Sequence, residues 1–205
     1  YMLKTNSFDT ICQEHLEYYS LTDIKNIINS TNLELFNVDF NETNGGSFIF
    51  YICKKTNKKI KRNKKLLDKI QIEEKETCSN ESLEKFTRNC DSLKMEIQTW
   101  IKEVKKKGKN IGGLGASTKG NIALSYFEID NTMVDAIGDI NEEKHGLLTP
   151  SGEIPIISEE EVISRNYDYY IVLPWHFKKS FLNNKNLKGK NLVFFHPKHE
   201  VIYIK

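Results

Sequence analysis

The chain has 205 residues, of which 39% are hydrophobic and 28% are charged, so it can form one sizeable core or two small ones. The formal net charge of only +2 does not indicate a nucleic-acid partner. No apolar run is long enough to span a bilayer. The four cysteines show no CxxC or CxxH spacing, which disfavours disulfides and metal sites and favours a reducing, cytoplasmic location. Because the chain begins at Tyr1 rather than Met, we expect it to belong to a longer polypeptide.

Residues 1–56 predict a helix followed by a β-hairpin. Apolar residues on one face predict a helix over Ser20–Ser30. Alternating apolar and polar residues predict a strand over Leu33–Phe40, with a bulge near Phe36. The Asn-Gly pair at Asn44 predicts a hairpin turn before a returning strand, Ser47–Cys53. A helix and a hairpin cannot bury their apolar faces alone, so we expect further chain upstream.

Residues 57–78 are interpreted as a basic linker. Most residues of Lys54–Lys65 are Lys or Arg, but no aromatic residues are interleaved to stack on bases. A solvated linker is therefore favoured over a nucleic-acid contact.

Residues 79–205 predict a long helix and then a Rossmann-like domain. Apolar residues three and four apart predict a helix over Ser79–Lys107 that packs across its own protein, with a coiled-coil dimer as the alternative. Short apolar segments then predict five strands: Asn110–Leu114, Met133–Gly138, Tyr169–Leu173, Leu192–Phe195 and Val201–Ile204. Helices are predicted after Gly120, over Glu159–Ser164 and after His176. This alternation predicts an α/β fold with a parallel sheet.

Ligands of such sheets bind beyond the carboxyl ends of the strands, where three segments are predicted to converge: Gly115–Asn121, Asp139–Lys144 and Trp175–Phe177. The first of these combines a glycine turn, a helix start and Lys119, which together favour a bound phosphate. Neither standard nucleotide motif fits. The dinucleotide fingerprint requires a third glycine where this chain has Thr118, and the P-loop requires a lysine after its second glycine, whereas Lys119 precedes Gly120. A tight turn that binds nothing is the alternative.

Other side chains also admit two interpretations. Asp139 either accepts from a ribose hydroxyl or caps a turn, and Trp175 and His176 either line a ligand pocket or pack in the core. His196 and His199 flank Pro197 and are interpreted as surface-loop residues. Glu14 and His15 are adjacent, and histidine has the pKa best suited to proton transfer near neutrality.

Five segments, in this order, resemble the C-terminal half of the sugar C-methyltransferases. They are Phe8–Ser20, Thr43–Ser47, Gly113–Asn121, Gly138–Gly146 with Thr149-Pro150 and Ile154–Ile156, and Leu173–Phe177. Members of this family use S-adenosylmethionine to methylate C-3 of nucleotide-linked 4-keto deoxysugars. The resemblance implies that residues 1–56 are the C-terminal remnant of a class I methyltransferase domain. It also implies that most cofactor contacts, and a zinc site, lie in a half that is absent from this chain.

The resemblance further implies roles for individual residues. His15 matches the family's candidate base and Glu14 its acidic neighbour. A nucleotide-sugar substrate would contact the turn and loop residues Asn44, Gly45, Gly46, Gly115, Ser117, Lys119, Gly120, Asn121, Asp139, Trp175 and His176. The rest of the same polypeptide is the expected partner, with no nucleic acid, membrane or metal in this part of the chain.

Two departures separate this sequence from the family pattern. Cys12-Gln13 stand where the family commonly has Tyr-His, and Asn44 stands where it commonly has His. A non-catalytic nucleotide-sugar-binding module is therefore the alternative function. A Rossmann-type oxidoreductase is disfavoured because Thr118 replaces the glycine that close helix packing needs.

Overall fold

A computed structural model describes all residues from Tyr1 to Lys205. Its helices are α1 (Met2–Thr5), α2 (Leu21–Asn29), α3 (Lys64–Thr77), α4 (Asn80–Lys106), α5 (Thr118–Tyr126), α6 (Glu159–Ser164) and α7 (Lys178–Leu182). Its strands are β1 (Leu33–Asn41), β2 (Ser47–Lys54), β3 (Ile111–Leu114), β4 (Ile137–Asp139), β5 (Ile156–Ser158), β6 (Tyr169–Val172), β7 (Asn191–Phe194) and β8 (Glu200–Tyr203). No helix is both long enough and apolar enough to cross a membrane.

The last six strands form one sheet in the order β5-β4-β3-β6-β7-β8. All neighbours in it are parallel except β8, which runs antiparallel to β7 at one edge. The prediction of an α/β fold with a largely parallel sheet is confirmed. Strand β5 was not predicted, because three residues are too few to show a period.

The first part of the chain forms the predicted helix and hairpin. Ser20 caps α2 in a capping box with Asp23. Strands β1 and β2 pair antiparallel, and their register shifts between Leu35 and Asn37, so the predicted bulge at Phe36 is confirmed.

The segment interpreted as a basic linker contains helix α3. Leu67 is only 5% exposed and packs with Leu21, Ile28 and Val38 beneath the hairpin. The Glu74 carboxylate accepts from the backbone N–H of Leu21 at 2.7 Å, so α3 also satisfies the start of α2. The linker interpretation was wrong for Lys64–Thr77, because this segment is a helix that buries Leu67 while its lysines remain exposed.

Helix α4 packs across its own protein, as predicted. Ile97 and Ile101 are almost fully buried in the main core, which also holds Ile111 from the sheet and Phe127 from the end of α5. At the N-terminal end of α4, Leu83 is 45% exposed. The single-turn helix Phe8–Thr10 joins this same core through Phe8, whose ring lies against Phe127.

Candidate functional site

The glycine loop follows β3 at the carboxyl edge of the sheet. Gly115 has φ +80°, and a Cβ there would lie 2.6 Å from the ring of Pro174. Only glycine combines this backbone conformation with so close an approach. The segments that follow β3 and β6 are therefore in direct contact.

Three backbone donors at the start of helix α5 have no hydrogen-bond partner in the protein. Ser117 is the N-cap, and its Oγ accepts from the Gly120 N–H at 3.1 Å. The backbone N–H groups of Ala116, Thr118 and Lys119 donate to no protein atom. Three unpaired N–H groups at the positive end of a helix dipole favour an anion.

Lys119 connects the glycine loop to the hairpin. Its Nζ donates to the Asn44 carbonyl at 3.0 Å and retains two further hydrogens for a ligand. Asn44 itself is left-handed, with φ 53°. The predicted turn and the predicted loop are thus brought together over a sequence separation of 75 residues.

Other glycines of the predicted site serve close packing. A Cβ on Gly45, which has φ +89°, would lie 2.6 Å from the Trp175 indole. A Cβ on Gly46 would lie 2.3 Å from the Tyr1 ring, and one on Gly120 would lie 2.6 Å from Leu173. In the dinucleotide fingerprint, a glycine at the position of Thr118 lets the helix approach the sheet closely. In this chain Gly120 has that role for α5.

Asp139 caps a turn at the end of β4. One carboxylate oxygen accepts from the Asn141 N–H at 2.8 Å, and the other accepts from Lys144 Nζ at 3.2 Å. Lys144 also donates to the Ala116 carbonyl at 2.8 Å, which ties the glycine loop to β4. Sequence reasoning missed Lys144, although it ends the predicted Asp139–Lys144 loop.

Trp175 contacts the N-terminal segment. Its indole Nε1 donates to an oxygen of Asp9 at 2.7 Å. His176 Nδ1 and Asn121 Oδ1 are buried without hydrogen-bond partners. Burial, and secondarily the Lys119 charge, lower the pKa of His176, so this ring is neutral near pH 7.

His196 is buried, which corrects the surface-loop interpretation. It is 2% exposed, its ring lies 4.9 Å from that of Phe8 and 5.9 Å from that of Trp175, and neither ring nitrogen has a partner. Burial lowers its pKa. The side chain of His199 is also mostly buried, against Trp100 and beside Glu96. The burial of both histidines was missed because no local sequence pattern indicates that other segments pack over the residues after β7.

Glu14 and His15 lie in an exposed stretch between the Phe8–Thr10 turn and α2. The His15 Nδ1 lies 2.7 Å from the Thr10 carbonyl, which also accepts from the Tyr18 hydroxyl at 2.9 Å. A carbonyl can only accept, so Nδ1 carries a proton, and in the neutral ring Nε2 then presents a lone pair. Glu14 does not contact this ring but accepts from Cys12 Sγ at 3.7 Å.

The structure thus brings Asn44, Gly45, the glycine loop, Asp139 and Trp175 to one edge. His15 reaches that edge only through Thr10 and its neighbour Asp9. All four cysteines are free, and no cluster of three or more His, Cys, Asp or Glu side chains could hold a metal ion.

The chain was also compared with known proteins. The chain is 26% identical over 186 residues to the C-methyltransferase NovU of Streptomyces niveus. The match covers 90% of this chain but only 44% of that protein, so the chain spans less than half of its relative. Residues 42–197 match the model of the family described as the C-methyltransferase C-terminal domain. Because this match covers most of the chain, the protein belongs to the family of C-methyltransferase C-terminal domains.

Proposed function

We propose that this chain binds a nucleotide-linked keto-sugar and supplies the base for methyl transfer from S-adenosylmethionine. The observation that carries the proposal is the set of unpaired N–H groups at Ala116, Thr118 and Lys119, beside the Lys119 ammonium. Free N–H groups and a cation at a helix start suit the pyrophosphate of a sugar nucleotide. The sugar would then extend past Trp175 to the segment that carries His15.

His15 is suited to remove a proton from the sugar. Its Nδ1–H is held by the Thr10 carbonyl, so Nε2 is the basic atom. A 4-keto group acidifies the C-3 proton, which passes to Nε2 while the electrons of the C–H bond delocalise onto the keto oxygen. Glu14 is adjacent to His15 in sequence but accepts from Cys12 Sγ here, so it would have to turn toward the ring to stabilise the imidazolium that forms.

S-adenosylmethionine would supply an electrophilic methyl group to this carbanion. The glycine loop suits that cofactor less well than a pyrophosphate, because unpaired N–H groups and a lysine favour a polyanion, whereas S-adenosylmethionine has a single carboxylate and a net positive charge. We therefore assign cofactor binding to a partner domain of the same polypeptide. The steps proposed for this chain are substrate binding and proton removal.

Substrate binding is tested with the isotopically labelled chain and a nucleoside diphosphate sugar. The ligand should shift the amide signals of residues 116–121, and Lys119→Ala should weaken binding by about 1.5–3 kcal/mol, the range of charge-assisted hydrogen bonds. Lys185→Ala is the matched control, because Lys185 is exposed on the turn before β7 and makes no hydrogen bond through its side chain. Shifts confined to other segments, or equal affinities of the two variants, would show that the loop is only a structural turn.

Proton removal is tested in a protein that joins this chain to a domain that binds S-adenosylmethionine. His15→Asn should abolish exchange of the C-3 proton with solvent deuterium together with methyl transfer, a loss of about a hundred- to ten-thousand-fold. Glu14→Gln should have the smaller effect. Unaltered exchange in His15→Asn would remove His15 from the mechanism.

A non-catalytic nucleotide-sugar-binding module is the second candidate. The residues that favour it are Cys12, Gln13 and Asn44, which replace a phenol and two imidazoles common in the related enzymes. Binding at the glycine loop without any proton exchange would support it. Cys12→Tyr should raise exchange only if the site retains the substrate geometry of those enzymes.

A further inference from the structure

We propose that Asp9 and Trp175 are positioning residues, whose mutual hydrogen bond holds the base-bearing segment in register with the glycine loop. The inference rests on the proposed function, because it takes His15 as the base. It assigns Trp175 a role different from lining the substrate pocket.

Trp175 is the point where three separate segments meet. It follows β6 at the carboxyl edge, its indole ring touches the backbone of Gly45, and its N–H donates to Asp9 at 2.7 Å. The indole has only one polar hydrogen, and Asp9 occupies it. A substrate could therefore meet the ring of Trp175 but not its hydrogen-bond donor.

The burial of Asp9 costs more free energy than a purely structural contact would require. It is 1% exposed, and its second carboxylate oxygen is buried without a partner. A buried carboxylate with few hydrogen bonds costs free energy that an apolar side chain at the same place would avoid. Unlike an apolar side chain, the carboxylate accepts a directional hydrogen bond from Trp175, and this bond fixes the orientation of the turn that carries Asp9.

Phe8 alone would not fix that orientation. Its ring lies in an apolar pocket, 4.3 Å from the ring of Tyr126 and 5.4 Å from that of Phe127. Apolar contacts hold the Phe8–Thr10 turn at a given depth but are non-directional. The Asp9–Trp175 bond adds a directional constraint within the turn itself, beside the hydrogen bond of 3.2 Å that Asn6 accepts from Asn89 just before it.

The constraint passes from Asp9 to His15 through one peptide unit. Thr10 follows Asp9 directly, and its carbonyl holds Nδ1 of His15 at 2.7 Å. If the turn rotates, this carbonyl moves and the ring is free to adopt its other tautomer, in which Nε2 carries the proton and cannot act as a base. The Asp9–Trp175 bond thereby sets both the place and the protonation pattern of His15.

The proposal is tested on this chain, without substrate, by nitrogen NMR of the His15 ring. In the native chain the Nδ1–H tautomer should predominate. Trp175→Phe keeps an aromatic ring near Gly45 but removes the N–H, and it should shift His15 toward the Nε2–H tautomer. Asp9→Ala should do the same, whereas Asp9→Asn, which keeps an acceptor oxygen, should retain the native tautomer.

Trp100→Phe is the matched control. Trp100 lies on α4 against Tyr169 and His199 and does not contact Asp9, so this variant should leave the His15 spectrum unchanged. A native tautomer ratio in Trp175→Phe would overturn the proposal, even if Asp9→Ala failed to fold. The measurement needs no catalysis, so it can succeed or fail independently of the deuterium exchange that tests His15 as the base.

A second readout separates positioning from folding. In a protein that includes the domain for S-adenosylmethionine, Trp175→Phe should lower kcat by up to about a hundredfold, the cost of an ångström-scale misplacement. KM for the keto-sugar nucleotide should change little, because the glycine loop is intact. A rise in KM at unchanged kcat would instead make Trp175 a substrate contact and contradict the proposal.

Discussion

Gly45 stands where the backbone conformation and the close packing both require glycine. Its φ of +89° is left-handed, and a Cβ would lie 2.6 Å from the Trp175 indole. Gly45→Ala should therefore combine backbone strain with overpacking, and lower the free energy of unfolding by about 2–4 kcal/mol. Urea denaturation followed by tryptophan fluorescence measures this loss.

Gly108 provides the matched control for that variant. Its φ is +68°, but a Cβ there would meet nothing within 4 Å. Gly108→Ala should lose only the strain, about 1–2 kcal/mol. Equal losses in the two variants would mean that Trp175 does not lie against the hairpin turn.

His196 makes stability depend on pH. Burial holds its folded pKa below the ordinary value of 6.5, and the nearby Lys119 charge acts in the same direction, while Asp9 opposes it. The unfolded chain therefore binds more protons between the two pKa values, and the free energy of unfolding falls as pH drops below about 6.5. Above that pH the ring is neutral in both states and contributes no slope.

The variant His196→Leu should flatten this dependence. It removes two nitrogens that lack hydrogen-bond partners and should cost little stability at pH 8. A shallower slope is expected because His176, whose pKa is also lowered by burial, still contributes. His15→Asn, at an exposed ring, is the control. Denaturant midpoints between pH 5 and pH 8 measure the slope, and identical slopes in the native chain and His196→Leu would contradict the assignment.

These residue-scale features were only partly predictable. Asn44-Gly45 was recognisable because a left-handed turn has a local signature. Asp9 and His196 have none: Asp9 is buried by a tryptophan 166 residues away, and His196 by Phe8 and Trp175. Burial that depends on distant segments cannot be deduced from neighbouring residues.

At the scale of elements, helix α3 provides the sharpest test. If Lys64–Thr77 is packed rather than solvated, Leu67→Ala should lower the free energy of unfolding by about 2–4 kcal/mol, since Leu67 is 5% exposed. Lys69→Ala on the same helix, where the side chain is 72% exposed, should change it by less than about 0.5 kcal/mol. Urea denaturation of the two variants gives both values, and equal small losses would restore the linker interpretation.

Elements were predictable where a single period dominates the sequence. Helix α4 was found because apolar residues recur three and four apart over its length, with Ile97 and Val104 buried as expected. In α3 only Leu67 and Ile70 pack in the core, and among so many lysines two apolar residues do not produce a recognisable helical period. Short strand β5 follows Pro155 and is stabilised by pairing with β4, which a local pattern does not show.

At the scale of the whole molecule, sheet topology brings separate loops to one edge, where the candidate site lies. Parallel strands β3, β4 and β6 end at the same edge, which is why the loops after them meet. This convergence was predictable from the order of strands and helices. The hydrogen bond from Lys119 to the Asn44 carbonyl was not predictable, because no sequence pattern indicates where the hairpin packs against the sheet domain.

That arrangement predicts which ligand the whole chain recognises. A nucleoside diphosphate sugar at a hundred times its dissociation constant should raise the free energy of unfolding by about 2.7 kcal/mol. S-adenosylmethionine should not, because its net charge is positive, whereas Lys119 and the positive end of α5 favour a polyanion. Calorimetry with each ligand separates the two cases. Micromolar binding of S-adenosylmethionine would require about 8.2 kcal/mol of favourable free energy from contacts within this chain, and would move the cofactor site into it.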